Sequence, residues 1–307
     1  MSVQAYVVEK TSACPIPLQQ RTLRRAVTYS GEGLFTGESV ELTLSPAPAG
    51  HGICFRRLDR PNSPVLKATL DSVKSTPRCT ILGNEEIQVQ TVEHILSALR
   101  AFHIDNALIS LTGSEIPIAD GSALPFCELI KEAGIEDLSV KRNIVTLTEP
   151  VFFSQDDIHL VALPAQEFRI SYTLHYPFSP LIRSQFYSFS GDEENFEKEI
   201  APSRTFCLYE EIVPLMEKGL IKGGGLDSAV VIAEDRVLNP GGLRFSDEMV
   251  RHKILDLLGD LSLMQTSLLA HIVAIRSGHA TNVAFAKLIY NQIIKGCKRP
   301  ITRESSQ

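Results

Sequence analysis

The chain has 307 residues, of which 44% are hydrophobic and 21% are charged, as in ordinary globular proteins. A formal net charge of −6 argues against a broad surface for nucleic acid or for anionic membranes. The length exceeds the usual span of one hydrophobic core, so we predict two domains, residues 21–139 and 140–297.

The cysteines and the apolar segments indicate the cellular compartment of the protein. Six cysteines without any Cys-x-x-Cys pair are typical of a reduced intracellular protein. The first twenty residues lack the basic and apolar regions of a secretion signal, and the apolar stretch from Leu261 to Ile275 is short for a membrane span. We therefore expect a cytoplasmic chain that does not span a membrane.

The N-terminal half begins with segments that alternate like strands. After a leader to residue 20, which we expect to be disordered, Ser39 to Leu44 places alternate apolar residues on one face. The preceding glycine-rich segment, Gly31 to Gly37, does not lead into a helical pattern, so we interpret it as a hairpin and not as a phosphate loop. Glu86 to Val89 predicts a further strand.

The first helical pattern carries a glutamate and a histidine side by side, Glu93-His94. Its apolar residues recur at helical spacing on one stripe: Val92, Ile95, Leu96 and Leu99. A strand at residues 104–111, a turn at 117–125 and a second helix ending near Ala133 follow. This order predicts an α+β fold and not a repeated βαβ unit.

The C-terminal half resumes with three strand-like segments: 144–147, 159–163 and 168–176. The acidic run at 191–199 is interpreted as a solvated face without function. The glycine run at 223–225 marks a flexible loop or an insertion.

Two helices end the chain. Ser246 is predicted to cap a helix whose first turn carries Asp247 and Glu248, which are favourable at its positive end. The final helix is predicted at about residues 281–295, and the polar tail at 298–307 is expected to be disordered.

Three side chains from two of these helices are suited to bind a metal ion. His252 and Asp256 stand four residues apart, so both project from one face of a helix. Catalytic zinc usually takes three His, Asp or Glu ligands and leaves a fourth position to water, and His94 would supply the third ligand. Glu93 is then free to accept a proton from that water.

Each of these residues alone has a simpler interpretation. A single histidine on an amphipathic helix is more often structural than a ligand, and pairs four residues apart commonly stabilise helices. Their combination favours a catalytic site over a structural role, because a third histidine, His279, follows Gly278 in a break between two apolar segments. A side chain at such a break can point into a cleft.

Four motifs together carry a resemblance to a known family. They are Glu93-His94, the Ser203–Phe206 segment, the Ser277–Asn282 turn and a longer segment that ends at Asp260. The longer segment reads Gly-Leu-Arg-Phe-x-Asp-Glu and continues, two residues later, as Arg-His-Lys-x-Leu-Asp-x-x-Gly-Asp. In order and spacing, from about Arg24 to Tyr290, they resemble UDP-3-O-acyl-N-acetylglucosamine deacetylase. That family comprises the zinc amidases of lipid A, and hence lipopolysaccharide, biosynthesis in Gram-negative bacteria.

The resemblance implies a fold and a substrate. The fold would be two similar two-layer α+β domains packed with their helices facing, with the active site in the cleft between them. The reaction would hydrolyse the acetamide of UDP-3-O-acyl-N-acetylglucosamine to UDP-3-O-acyl-glucosamine and acetate. No nucleic acid partner is implied, and we expect a monomer.

The resemblance also implies roles for individual residues. The zinc ligands would be His94, His252 and Asp256, and Fe²⁺ is an alternative because His and Asp ligands suit both metals. Glu93 would be the general base and His279 the general acid. Other positions would contact the reacting group or the substrate: Thr205 for the oxyanion, and Lys253, Asp260, Phe206 and Tyr176 for the substrate.

Three segments bear on substrate recognition. Phe35 stands where several relatives carry a histidine. His175-Tyr176 corresponds to an acidic-aromatic pair that contacts the nucleotide, so that Tyr176 can stack on uracil although the acid is absent. The insertion at 219–233 corresponds to an apolar passage for the acyl chain, and ordinary packing is the alternative for its apolar residues: Leu220, Ile221, Leu226 and Val230.

Two other classes of protein share part of this pattern. A zinc peptidase would keep the metal and the base, but it would not need an acyl passage at residues 219–233. A sugar-nucleotide binding protein without catalysis would keep the cleft, but it would not need Glu93 and His279 together.

Overall fold

The computed structural model of the protein describes residues 17–190 and 193–297. The sequence predicts a disordered leader to residue 20 and a disordered tail at 298–307; residues 1–16 and the tail lie outside the described residues. Gln19 and Gln20 begin the first strand, so the predicted disorder does not extend to residue 20. In the N-terminal half the elements are β1 Gln19–Leu23, β2 Val27–Glu32, β3 Ser39–Pro46, β4 Ile53–Arg57, β5 Val65–Lys67, β6 Val73–Ser75, β7 Ile81–Gly83, β8 Gln88–Gln90, α1 Glu93–Ala101, β9 Ala107–Leu111, α2 Leu124–Ala133 and β10 Ile135–Lys141. In the C-terminal half they are β11 Ile144–Thr146, β12 Val151–Gln155, β13 Ile158–Pro164, β14 Arg169–Tyr176, β15 Arg183–Ser190, α3 Glu193–Asn195, β16 Phe206–Leu208, α4 Tyr209–Glu217, β17 Val230–Ala233, β18 Arg236–Val237, α5 Glu248–Ser262, β19 Ser267–Ile275 and α6 His279–Cys297.

Two large sheets repeat one topology. The first has the strand order β2-β3-β9-β4-β5, and the second has the order β12-β13-β19-β14-β15, with β11 also paired to β19. In each sheet the central strand, β9 or β19, is antiparallel to one neighbour and parallel to the other. The predicted α+β class with two halves of like topology is therefore confirmed. The division at residue 139, which falls within β10, stays a prediction.

The hairpin interpretation of the glycine-rich segment is confirmed. Strands β2 and β3 pair antiparallel from Val27 opposite Leu44 to Glu32 opposite Ser39. Alternate residues of β3 are buried, as its pattern predicts. The turn closes where the Gly37 amide donates to the Gly33 carbonyl at 2.9 Å.

Helices α1 and α5 pack against each other and place the two groups of predicted site residues face to face. Their contact is close because residue 259 is a glycine. A Cβ there would lie 2.2 Å from the carbonyl oxygen of Glu93, which no real side chain tolerates. The packing of α1 against α5 therefore depends on the missing side chain at Gly259.

The predicted cap of α5 is wrong. The N-cap residue is Asp247 and not Ser246, and it makes no side-chain capping hydrogen bond. The Asp247 carboxylate instead accepts from Arg251 Nε at 2.6 Å. The Glu248 carboxylate accepts from Arg204 Nε at 2.8 Å, so ion pairs replace the cap at this end of the helix.

Other elements differ from their predicted bounds in small ways. The strand predicted from residue 104 begins at Ala107, because the Ile104 amide still donates to the Leu99 carbonyl at the end of α1. Phe196, within the acidic run, and Ile200, directly after it, are buried, so the described part of the run contains an apolar anchor. No helix in the described part of the chain is both long and apolar enough to cross a membrane.

Candidate active site

Helices α1 and α5 bring together the three side chains predicted as metal ligands. His94, His252 and Asp256 are each at most 4% exposed. One candidate ligand atom from each lies within 4.8 Å of the other two. The two imidazole rings meet edge to face, with centroids 5.1 Å apart. Since the residues come from two separate helices, the fold itself assembles this cluster.

The protonation states of the three residues suit a metal ion. Burial lowers the pKa of His94 to about 3 and also lowers the pKa of His252, so both rings are neutral at pH 7. Burial acts to raise the pKa of Asp256, but Lys253 and His252 outweigh it and hold that pKa well below its ordinary value. Two neutral imidazoles and one carboxylate are a donor set that divalent zinc or iron accepts.

Hydrogen bonding around the rings also fits a bound cation. His252 Nδ1 lies 3.1 Å from the Ser203 carbonyl oxygen, and donation there leaves Nε2 free to act as a ligand. His94 Nδ1 is buried and has no hydrogen-bond partner within the described residues. Buried polar atoms rarely stay unsatisfied, so this one indicates a group that the protein itself does not provide.

Glu93 lies beside the cluster without being needed as a ligand. Its side chain is 3% exposed, and its Oε2 accepts from the Thr80 amide at 3.0 Å. Burial raises the pKa of Glu93 to about 7, although nearby His279 opposes this shift. A carboxyl group with that pKa can both accept and release a proton near neutral pH.

His279 faces the same cluster from the start of α6. Its Nε2 lies 3.7 Å from Glu93 Oε1 and 3.9 Å from Asp256 Oδ2, while its Nδ1 lies 2.9 Å from Asp260 Oδ2. Burial acts to lower the pKa of His279, but the carboxylates of Asp260, Glu93 and Asp256 outweigh it and raise that pKa to about 10. The imidazole is therefore protonated at neutral pH and is suited to donate a proton.

Two residues that orient this site had no assigned role in the sequence analysis. The Thr80 hydroxyl donates to Asp260 Oδ1 at 2.6 Å, and the Asn282 amide donates to Asp260 Oδ2 at 2.9 Å. Asn282 belongs to the Ser277–Asn282 motif and follows His279 by three residues, so helical spacing could have indicated it. Thr80 precedes β7 in a segment without any motif, and only the fold brings it to the site.

The residues predicted to contact the substrate lie next to the predicted metal ligands. The Phe206 ring contacts the Tyr176 ring, with centroids 5.9 Å apart, and the His252 ring, with centroids 6.5 Å apart. Lys253 Nζ lies 5.7 Å from the centroid of the Phe206 ring and also pairs with Asp256. Asp260, in contrast, is fully buried behind His279.

An apolar cavity of about 350 Å³ adjoins these residues. Thr205, which precedes β16, lines it together with Phe206. Most other lining residues come from the Gly31–Gly37 hairpin, from α4 and from the predicted insertion, and they include Leu34, Phe35, Ile212, Met216, Ile221 and Leu226. Leu220 is instead 52% exposed, and Val230 is buried in β17.

Three side chains suited to bind a metal ion, with a carboxylate that is not needed as a ligand and a protonated imidazole beside them, are typical of metal-dependent hydrolases. The LpxC family model, described as UDP-3-O-acyl N-acetylglycosamine deacetylase, matches residues 20–291. The chain therefore belongs to this family, and the resemblance drawn from its motifs is confirmed.

Similar proteins from three Chlamydia species carry a deacetylase name. UDP-3-O-acyl-N-acetylglucosamine deacetylase of Chlamydia pneumoniae is 51% identical over 271 residues, covering 88% of this chain and 96% of the relative. The Chlamydia caviae protein of that name is 50% identical, with the same coverage of both chains. The protein from Chlamydia trachomatis serovar L2 is 47% identical over 88% of this chain and 94% of its own length.

Proposed function

We propose that this chain hydrolyses the acetamide of UDP-3-O-acyl-N-acetylglucosamine to give UDP-3-O-acyl-glucosamine and acetate, an early committed step of lipid A biosynthesis. The observation that carries this function is the buried His94, His252 and Asp256 cluster with Glu93 and His279 beside it. Family membership and the names of the relatives support the substrate. The adjoining apolar cavity suits an acylated sugar better than a peptide.

His94, His252 and Asp256 would hold one divalent cation, which we propose is Zn²⁺, with Fe²⁺ as the alternative in the cell. When bound, the metal would act as a Lewis acid and lower the pKa of its water from ~15.7 towards ~7. A UDP-sugar substrate and the free thiols of Cys54 and Cys127 support a cytoplasmic enzyme. We further propose that it acts as a monomer.

Glu93 and His279 divide the proton transfers between them. Glu93 accepts a proton from the water that attacks the acetamide carbonyl, and the Thr80 amide holds one of its oxygens in place. An amine leaves poorly as an anion, so His279 donates its Nε2 proton to the departing nitrogen. Asp260 keeps the imidazole charged through its contact with Nδ1.

Thr205 and the aromatic residues position the substrate. Thr205, which lines the apolar cavity, would donate a hydrogen bond to the oxyanion that develops on the acetamide carbonyl. Phe206 and Lys253 would contact the sugar nucleotide beside His252, and Tyr176 would stack on uracil. The acyl chain would occupy the cavity.

Replacing the general base separates this mechanism from binding alone. Glu93→Ala should retain the metal but lose roughly 10²–10⁴ in turnover, the usual contribution of a positioned general base. The matched control is Glu86→Ala, because Glu86 is exposed on the surface and should leave both quantities unchanged. Metal loss in Glu93→Ala would move Glu93 into the ligand set, and unchanged turnover would contradict its role as base.

A further inference from the structure

Glu115 is a fully buried carboxylate that is surrounded by hydrogen-bond donors from separate segments. Its Oε1 accepts from the Phe35 amide and from the Thr91 hydroxyl, each at 3.0 Å. Its Oε2 accepts from the Thr36 amide and the Thr36 hydroxyl, each at 2.8 Å, and from Gln90 Nε2 at 3.2 Å. Within the described part of the chain it has no ion-pair partner, so neutral donors alone compensate its burial.

Most of these donors belong to the turn between β2 and β3, and the turn fits closely around the carboxylate. A Cβ at Gly33 would lie 2.4 Å from Glu115 Oε2, so only glycine allows this approach. The backbone amides of Phe35 and Thr36 point at the carboxylate and cannot easily find other partners. Glu115 therefore fixes the conformation of this turn.

The opposite side of the same turn supports the segment that follows α4. The Gly223 amide donates to the Leu34 carbonyl at 3.1 Å, and a Cβ at Gly223 would lie 2.2 Å from the Gly33 carbonyl oxygen. Leu34 and Phe35 line the apolar cavity together with Ile221. One wall of the cavity is thus built, backbone against backbone, on the turn that Glu115 holds.

We propose that Glu115 is a positioning residue that sets how well the enzyme discriminates acylated from unacylated substrate. It touches no substrate itself and acts through Leu34 and Phe35 at the cavity wall. The proposal rests on the proposed function, because it assigns the cavity to the acyl chain. A second branch from the same carboxylate reaches Thr91, which precedes α1 and has a φ of 60°, so the two branches require separate variants.

The variants are Glu115→Gln, Thr36→Val and Thr91→Val. Glu115→Gln keeps the shape but directs an NH₂ group at backbone donors. Thr36→Val removes the hydrogen bond that the Thr36 hydroxyl donates to Glu115 and the longer one, 3.3 Å, that it accepts from the Glu38 amide. Thr91→Val is the matched control, since it removes one hydrogen bond to the same carboxylate on the α1 side. Metal content is measured for each variant.

The readout is kcat/KM for a long-chain 3-O-acyl substrate divided by kcat/KM for UDP-N-acetylglucosamine without the acyl chain. We expect this ratio to fall by about tenfold in both Glu115→Gln and Thr36→Val. Glu115→Gln leaves a buried backbone donor of the turn without its acceptor, and Thr36→Val leaves the buried carboxylate without one of its donors. Metal content should not change, and the ratio in Thr91→Val should stay as in the wild type. An unchanged ratio in Thr36→Val, or an equal loss on both substrates, would overturn the proposal even if Glu115→Gln fails to fold.

A binding measurement keeps this test independent of catalysis. A fluorescent long-chain fatty acid should bind the wild-type cavity and bind about tenfold more weakly to Thr36→Val. If wild-type protein binds the probe but deacetylates neither substrate, the proposed function is wrong. The difference in probe affinity between wild type and Thr36→Val then still tests the role of Glu115 at the cavity wall. Equal affinity in the two proteins, or no binding to the wild type, would overturn the role of Glu115.

Discussion

Substituting Gly259 with alanine should separate the two helices that carry the predicted metal ligands. The added Cβ would lie 2.2 Å from the carbonyl oxygen of Glu93 and 2.9 Å from its Cα. Carbon and oxygen atoms in contact are about 3.3–3.6 Å apart, so α1 and α5 must move apart by roughly 1 Å. The clash is with backbone, so no side-chain rotation can relieve it.

The expected magnitudes follow from two opposing effects. Alanine favours a helix interior by about 1 kcal/mol over glycine, whereas overpacking a core costs about 1–3 kcal/mol, so stability should fall by roughly 0–2 kcal/mol. Metal binding and catalysis should be affected more than stability, because His94 lies on one helix and His252 and Asp256 lie on the other. A misplacement of about 1 Å can cost ~10²-fold in kcat/KM.

Denaturant unfolding, metal titration and kcat/KM should be measured for Gly259→Ala beside a matched control. Gly241→Ala serves as that control, because a Cβ at Gly241 would meet nothing within 4 Å. We expect weaker metal binding and lower kcat/KM only in Gly259→Ala. A variant that is about 1 kcal/mol more stable, with wild-type metal affinity and activity, would refute the close-packing argument.

The remaining predictions concern three histidines. His252→Ala should lose both metal and activity, and full metal occupancy measured by elemental analysis would contradict its role as ligand. Wild-type kcat/KM should be bell-shaped in pH, since Glu93 acts deprotonated and His279 protonated; His279→Ala should lose the alkaline limb and keep the acidic one. If the alkaline limb persists, Lys253 becomes the next candidate for proton donor. Burial and then Arg100 hold the pKa of His103 far below its ordinary 6.5, so the folded state excludes a proton that the unfolded state binds. Its contribution to stability is therefore complete above pH 6.5 and is lost as the pH falls, by at most about 1.4 kcal/mol per pH unit. His103→Asn, which suits the φ of 55°, should flatten that loss in unfolding experiments between pH 6.5 and 5, and an unchanged slope would contradict the assignment.

Local periodicity predicted the elements whose residues determine their own geometry. The apolar stripe of α1 and the alternation of β3 gave the correct type of element. The relation of His252 to Asp256 also follows from helical spacing alone, and their side chains approach to 3.3 Å. Ser246 shows the limit of this reasoning. It is a favourable capping residue, but the helix begins one residue later, where Asp247 and Glu248 form ion pairs with arginines.

Contacts between distant residues were not predictable from the residues themselves. Thr80 and Asp260 are 180 positions apart and meet only because β7 and α5 converge. Glu115 lies in a Ser-Glu-Ile-Pro segment that has the composition of an exposed turn, yet the structure buries it. The approach of His94 to α5 likewise depends on packing at Gly259, for which a lone glycine in a helix gives no specific signal.

The most direct test of the account is acetate release by the purified protein from UDP-3-O-acyl-N-acetylglucosamine, before and after removal of metal by a chelator. The account predicts one acetate for each UDP-3-O-acyl-glucosamine formed, loss of turnover in the metal-free protein, and recovery on addition of one equivalent of Zn²⁺ or Fe²⁺. Full turnover by metal-free protein, or no acetate from protein that contains its metal, would contradict it.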